Sequence, residues 1–116
     1  MKYAILVYET PAEFAEREDP ATAGAYWGAY TAYNTALAQA SAVTGGAGLT
    51  PPHAATTVRI RNGKRAVADG PYSDTKEQLG GFFLITAESL DAALDWAAKC
   101  PAAMRGAVEV RPVLEM

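Results

Sequence analysis

The stretch VADGPYSDTKEQLGGFFLI, residues 67–85, sets most of the fold that the sequence predicts. It ends one extended segment, passes through a charged turn and enters the apolar run GGFFLIT, which is typical of a buried strand. Gly80 and Gly81 favour a β-bulge or close strand packing, because glycine leaves room where two chain segments approach. A strand this apolar lies inside a sheet, and the rest of the chain supplies its neighbours.

A β-hairpin is predicted immediately upstream, in TTVRIRNGKRAVAD, residues 56–69. Asn62 and Gly63 stand between two alternating runs, and both residues tolerate the positive φ angles of a two-residue turn. Val58 and Ile60 face one side of this hairpin, and Arg59 and Arg61 face the other side.

The remaining segments follow the order strand, surface connection, helix, strand, helix and strand. They are KYAILVY (2–8), ETPAEFAERED (9–19), a tyrosine-rich helix from about Asp19 to residue 41, a short strand near 43–49, LDAALDWAAKC (90–100) and AVEVRPVLE (107–115). The predicted apolar stripe of the second helix consists of Leu90, Ala93, Leu94 and Ala97.

This order predicts an α+β fold in a single domain that spans residues 1–116. Without the inserted hairpin, the elements form the split βαβ repeat of a ferredoxin-like βαββαβ fold, with an antiparallel sheet and both helices on one face. The opposite face of the sheet would be bare and apolar. We therefore expect a homodimer, in a dimeric α/β-barrel arrangement that covers this face.

The composition narrows the classes of function. Half of the residues are hydrophobic, a fifth are charged and the net charge is −3, as in ordinary globular domains. No basic stripe points to nucleic acid, and the apolar run at residues 3–8 is too short for a signal or membrane segment. Cys100 is the only cysteine, so we expect no internal disulfide and a reducing, cytoplasmic location. With one histidine, no clustered carboxylates and no nucleotide-binding motif, we expect neither a metal nor a cofactor.

The chain also resembles a known family through DGPYSDTKEQLGGFFLI (69–85) and SLDAALDWAAKCPAAMRGAVEVRPV (89–113). The first segment is similar to the hallmark of bacterial YCII-related proteins of the DGPF type, with Tyr72 in place of a Phe and Asp74 in place of a Glu. The resemblance implies a dimeric α+β barrel. It also implies either small-molecule lyase or hydrolase chemistry, or a role beside extracytoplasmic-function sigma factors in regulation or stress.

Relatives with lyase or hydrolase chemistry use a His-Asp pair whose histidine comes from the first helix. The corresponding helix here contains no histidine, and His53 lies in the TPPH loop instead. The resemblance therefore does not transfer this pair to the chain.

Two acidic residues of the DGPY motif and the segment after it are the predicted acid–base groups. Asp69 is either a turn-forming residue of the Asx type or a general base aimed into a cleft. Glu77 is either the partner of Asp74 in a helix capping box or a proton shuttle. The predicted ligand-binding residues offer a positive charge, a hydroxyl or an imidazole, and they are Lys76, Arg59, Tyr26, Tyr30, Tyr72 and His53.

Two functions remain open from the sequence. The first is a metal-free lyase, isomerase or hydrolase that acts on a small anionic molecule by carboxylate acid–base chemistry. The second is a non-enzymatic dimer that binds a metabolite or a protein in sigma-factor or stress regulation. The charged motif favours the first function, and the lack of a strong acid–base pair favours the second.

Overall fold

A computed structural model describes residues 1–115 and contains the predicted α+β architecture. Its helices and strands are β1 (Lys2–Glu9), α1 (Pro11–Glu16), α2 (Ala23–Gln39), β2 (Val43–Gly48), β3 (Thr56–Arg61), β4 (Lys64–Asp69), β5 (Gln78–Thr86), α3 (Leu90–Lys99) and β6 (Ala107–Pro112). Four strands form an antiparallel sheet in the order β2-β5-β1-β6. This is the strand arrangement of a ferredoxin-like fold, so the predicted fold class is confirmed.

The hydrophobic core lies between the sheet and the two longer helices. Tyr3, Ile5 and Val7 alternate along β1 toward the helices and are almost completely buried. They pack against Tyr33 and Leu37 of α2 and against small residues of α3. The Tyr33 hydroxyl donates to the Trp96 carbonyl at 2.9 Å, which ties α2 to α3. The core therefore fixes both helices on one face of the sheet.

The outer surface of α3 differs from the predicted apolar stripe. Leu90 and Leu94 are 50 % and 46 % exposed, whereas Ala93 and Ala97 are buried. The inner face of the helix consists of small residues that run into the buried Cys100. Because the alanines make this inner contact, the two leucines point outward, and their prediction as core residues is wrong.

The charged connection at residues 9–19 also differs from the prediction, because it contains the short helix α1. The Thr10 hydroxyl accepts from the Glu13 N–H at 3.2 Å, and the Thr10 N–H donates to the Glu13 carboxylate at 3.1 Å. This capping box satisfies free N–H groups at the start of the helix. Glu9 and Glu13 are buried, so the connection turns part of its charge inward, while Glu18 and Asp19 remain exposed.

The predicted β-hairpin is present and stands apart from the core. Asn62 and Gly63 have φ angles of 52° and 74°, as the predicted turn requires. The Gly70 N–H donates to the Ala55 carbonyl at 2.7 Å and closes the base of the hairpin. The Cα radius of gyration is 15.8 Å, whereas a compact chain of this length has one of about 13 Å. The hairpin thus projects as an arm.

Neither α2 nor α3 packs on the second face of the sheet. This face carries the paired residues Leu6 and Phe82, and the paired residues Ala4 and Leu84, all of them half-buried. Among residues 1–115, no helix has both the length and the hydrophobicity needed to cross a bilayer.

Candidate functional site

A buried carboxylate lies at the end of β1. The alternation of Tyr3, Ile5 and Val7 continues to Glu9 and directs its side chain toward the helices, where the residue is 1 % exposed. A charged group without water costs several kcal/mol unless it is paired and hydrogen-bonded. The surroundings of Glu9 must therefore supply donors.

Arg17 and two tyrosines of α2 supply these donors. The Arg17 Nη2 atom donates to Glu9 Oε1 at 2.6 Å, and the Tyr26 hydroxyl donates to Glu9 Oε2. The Tyr30 hydroxyl lies 3.5 Å from the same Oε2 atom, at the outer limit of a hydrogen bond. The carboxylate charge is thus balanced, and Tyr30 is its loosest partner.

Arg17 is almost as buried as its partner and uses its donors within the protein. Its Nε atom donates to the Tyr26 hydroxyl oxygen at 3.0 Å, Nη1 to the Leu49 carbonyl at 2.5 Å, and Nη2 to the Gly80 carbonyl at 3.0 Å. Burial alone would lower the pKa of the guanidinium, but its bonds to Tyr26 and Glu9 outweigh burial and raise the pKa. Arg17 therefore joins four segments of the chain and stays charged.

Gly80, the first residue of the Gly-Gly pair of β5, makes room for this ion pair. Val7 pairs with Gly81 and Tyr8 pairs with Leu79, so Gly80 is the extra residue of a β-bulge, as the sequence predicts. A Cβ atom on Gly80 would lie 2.4 Å from Glu9 Oε1 and 2.9 Å from Arg17 Nη2. Packing thus requires glycine at this position, and the Gly80 carbonyl accepts a hydrogen bond from Arg17.

Burial keeps the two tyrosine hydroxyls protonated. It is the main cause of the raised pKa of Tyr26, and the hydrogen bond to the negative Glu9 adds to it. Burial also raises the pKa of Tyr30, with smaller contributions from nearby Cys100 and Glu9. Both side chains are therefore hydrogen-bond donors at neutral pH.

These groups lie at the inner end of a cleft of about 570 Å³ between α2 and the sheet. One wall is the face of α2 that bears Trp27, Tyr30, Thr31, Asn34 and Thr35, and the other wall is the glycine-rich edge strand β2. Val7 and Phe83 form part of the apolar floor. Among the described residues that line the cleft, Glu9 and Arg17 carry the only formal charges. An apolar cleft with a few convergent polar groups is typical of small-molecule sites.

The residues predicted from the DGPY motif lie elsewhere. Tyr72 and Glu77 line a groove of about 430 Å³ at the base of the hairpin, together with Tyr8 and several prolines. His53 and Lys76 line a neighbouring depression of about 310 Å³. Of the predicted ligand-binding residues, only Tyr26 and Tyr30 lie in the larger cleft.

The two remaining predicted residues lie at the surface of the hairpin. Asp69 is exposed at the end of β4, and the Arg59 guanidinium stacks over the Tyr72 ring at 4.7 Å from its centroid. An Asx turn at Asp69 would need the N–H of residue 71, which is a proline and has none. The turn interpretation of Asp69 in that form is therefore wrong.

Glu77 has an unusual environment. Its Oε2 atom is buried and has no hydrogen-bond partner. The segment between β4 and β5 contains no helix, so the predicted capping box of Asp74 and Glu77 does not form. Among residues 1–115, no three His, Cys, Asp or Glu side chains come together in a way that could hold a metal ion.

Glu9 and Arg17 are the site residues that the sequence analysis missed. One signal pointed to Glu9 and another to a helix start beside it, and neither pointed to Arg17. The period-two alternation of β1 extends to Glu9, and Thr10 with Glu13 has the spacing of a capping box. Because charged residues are usually exposed, both residues were assigned to the surface.

Comparison with known proteins places the whole chain in one family. The model of the YCII-related domain matches residues 1–116. The chain is also 49 % identical over 67 residues to an uncharacterized protein of Rhizobium meliloti (strain 1021). That match covers 56 % of this chain and 54 % of the relative, so the chain spans about half the length of the curated relative that it matches.

Proposed function

The chain belongs to the YCII-related domain family, and we propose that it binds a small, largely apolar molecule in the cleft between α2 and the sheet and moves a proton on it. The buried Glu9 carboxylate at the inner end of the cleft carries this proposal. A buried charge is costly, and buried ionisable groups in clefts are frequent at functional sites.

The chemistry assigned to this site is proton transfer beside a carbonyl or enol group. The Tyr30 hydroxyl, which is protonated and only weakly bound to Glu9, donates to the ligand oxygen. Glu9 Oε2 takes a proton from the adjacent carbon and returns it to a neighbouring atom, so that the ligand isomerises or loses a leaving group. Arg17 and Tyr26 keep the carboxylate in place.

The charge balance of the cleft favours a neutral ligand. Arg17 is paired with Glu9 and with two carbonyls, so it offers little to a substrate carboxylate. A small anionic molecule, as predicted from Lys76 and Arg59, fits the base of the hairpin better. There Asp69 and Glu77 remain the proposed acid–base groups, and the unpaired Glu77 Oε2 supports a second candidate site.

Substitution of Tyr30 tests the cleft. We expect Tyr30→Phe to weaken binding of neutral phenols or lactones by about tenfold, the loss of one hydrogen bond, while the melting temperature stays within a few degrees. Binding is measured by calorimetry, and turnover by chromatography of the same compounds. The comparison variant is Tyr72→Phe, because Tyr72 lies outside the cleft and lines the groove at the base of the hairpin, so that a loss of binding in this variant instead would favour the second candidate site.

Variants at the base of the hairpin separate the two candidate sites. If Tyr30→Phe has no effect, but Lys76→Ala and Glu77→Gln weaken binding, the site is the groove beside the hairpin. If a ligand binds in the cleft but none is converted, the alternative of a non-enzymatic binding protein is favoured. The fully paired state of Glu9 and Arg17 supports this alternative, because such a pair can also act as structure alone.

A homodimer is part of the proposal. The open sheet face carries Leu6, Phe82 and Leu84 and has no helix over it among the described residues, and a second sheet would bury it. We expect light scattering at micromolar concentration to give twice the 12.2 kDa chain mass. A single species of the chain mass would contradict this. A cytoplasmic location is proposed from the single cysteine, and a role in sigma-factor or stress regulation from family resemblance alone.

A further inference from the structure

The projecting hairpin, here called the arm (residues 56–69), exposes an apolar face that nothing in the described chain covers. Val58, Ile60 and Val67 are 59 %, 61 % and 56 % exposed. Val58 pairs with Val67, and Ile60 pairs with Arg65, so these side chains share one face of the arm. A hairpin of two strands is only marginally stable alone in water. A partner surface would therefore stabilise the arm.

The charge of the arm is opposite to that of the remaining chain. The arm contains four of the ten Lys and Arg residues and one of the thirteen Asp and Glu residues, which gives it a net charge of +3. The other residues include six basic and twelve acidic ones, a net charge of −6. The arm is thus attracted to an acidic surface of the kind that this chain itself provides.

The outer face of α3 offers such a surface with an apolar centre. Leu90 and Leu94 lie four residues apart and are about half exposed. Asp91 and Asp95 are exposed beside them at helical spacing, and Glu88 is exposed just before the helix. This face combines two leucines with acidic residues. The aliphatic face of the arm carries Arg65, and the other three basic residues lie on the opposite face of the hairpin.

We propose that the arm of one copy packs its Val58–Ile60–Val67 face on Leu90 and Leu94 of α3 in a second copy. Arg65, which pairs with Ile60 and shares this face, then lies beside Asp91 and Asp95. The dimensions agree, because a six-residue strand is about 20 Å long and a ten-residue helix about 15 Å. The arm and the α3 face belong to the same chain, so a second copy of the protein provides the surface that the arm binds. The contact depends neither on the cleft nor on the sheet face.

Cysteine cross-linking tests the contact directly. A mass-tagged Ile60→Cys chain is mixed with a Leu94→Cys chain and treated with a mild oxidant. We expect the mixed disulfide to form at least fivefold more than in the control mixture of Ile60→Cys and Met104→Cys, because Met104 is 87 % exposed but lies outside the α3 face. The native Cys100 is 1 % exposed, and the unsubstituted chain serves as the blank. Equal yields in the two mixtures, or no mixed disulfide, would overturn the proposal.

Charge reversal provides a second measurement. In the two cysteine-bearing chains, Arg65→Glu in the arm and Asp91→Arg/Asp95→Arg in α3 should each, introduced alone, reduce the yield of the mixed disulfide at least tenfold, a readout that association through the sheet face does not supply. Combining the two charge reversals should restore the yield, since opposite charges then meet again. Failure of the combination to restore the mixed disulfide would contradict the contact. So would retention of duplex DNA by the native arm without any mixed disulfide, because the arm would then bind nucleic acid.

Discussion

Replacing Gly80 with alanine is expected to lower the free energy of unfolding by about 3 kcal/mol. This value is typical both of overpacking a core and of breaking a buried ion pair. The added methyl group would lie 2.4 Å from Glu9 Oε1 and 2.9 Å from Arg17 Nη2. Both side chains could move elsewhere at little cost on a surface, but here they are 1 % and 8 % exposed and fully paired. The substitution thus separates two buried charges.

Chemical unfolding in urea measures this effect, and Gly28→Ala is the matched control. Gly28 lies in α2, where a Cβ atom would meet nothing within 4 Å. Alanine there should stabilise the protein by about 0.5–1 kcal/mol, because glycine is a poor residue for a helix interior. If Gly80→Ala unfolds at the same urea concentration as the native chain, the bulge does not hold the ion pair.

Removal of one member of the buried pair should have a still larger effect. Glu9→Leu leaves Arg17 buried without its counter-charge, and Arg17→Met leaves the carboxylate alone. Each single variant is expected to lose about 3–5 kcal/mol of unfolding free energy. The double variant should lose less than the sum of the two, because it contains no unpaired buried charge. Calorimetric melting curves of the four proteins give the coupling energy.

The exposed pair of Arg111 and Glu109 is the control for this cycle. The Arg111 Nη2 atom lies 2.5 Å from Glu109 Oε2, but the two side chains are 70 % and 42 % exposed, respectively. Glu109→Ala should therefore cost less than about 1 kcal/mol. If substitution of Glu9 and substitution of Glu109 cost a similar unfolding free energy, burial does not determine the strength of the Glu9–Arg17 pair.

The fold was predictable because its signals are local. Each strand signal lies within a short segment of the sequence. The segments are the apolar runs KYAILVY and GGFFLIT and the alternating run before the Asn62-Gly63 turn. The outward position of Leu90 and Leu94 was not predictable in this way. It depends on how closely the alanines of α3 approach a sheet formed by distant residues.

The candidate site was predictable only in part. Tyr26 and Tyr30 were identified from hydroxyls near the start of a helix, and they do lie in the cleft. Glu9 was not identified, because its burial is stabilised by residues 8 to 71 positions away in the sequence, among them Arg17 and Gly80. Solvated charges are the usual case, and an exception appears only when the partners are known.

The connections of Arg17 also bear on the order in which the chain folds. Its partners Glu9, Leu49 and Gly80 lie 8, 32 and 63 residues away along the chain. Because closing such long loops is costly, we expect these partners to meet late, after β1 and β5 have paired and the end of β2 has arrived. Interactions that form after the rate-limiting step of folding affect mainly the unfolding rate. Substitutions at Glu9 and Arg17 should therefore shorten the lifetime of the native state, while the chain reaches that state almost as fast as before.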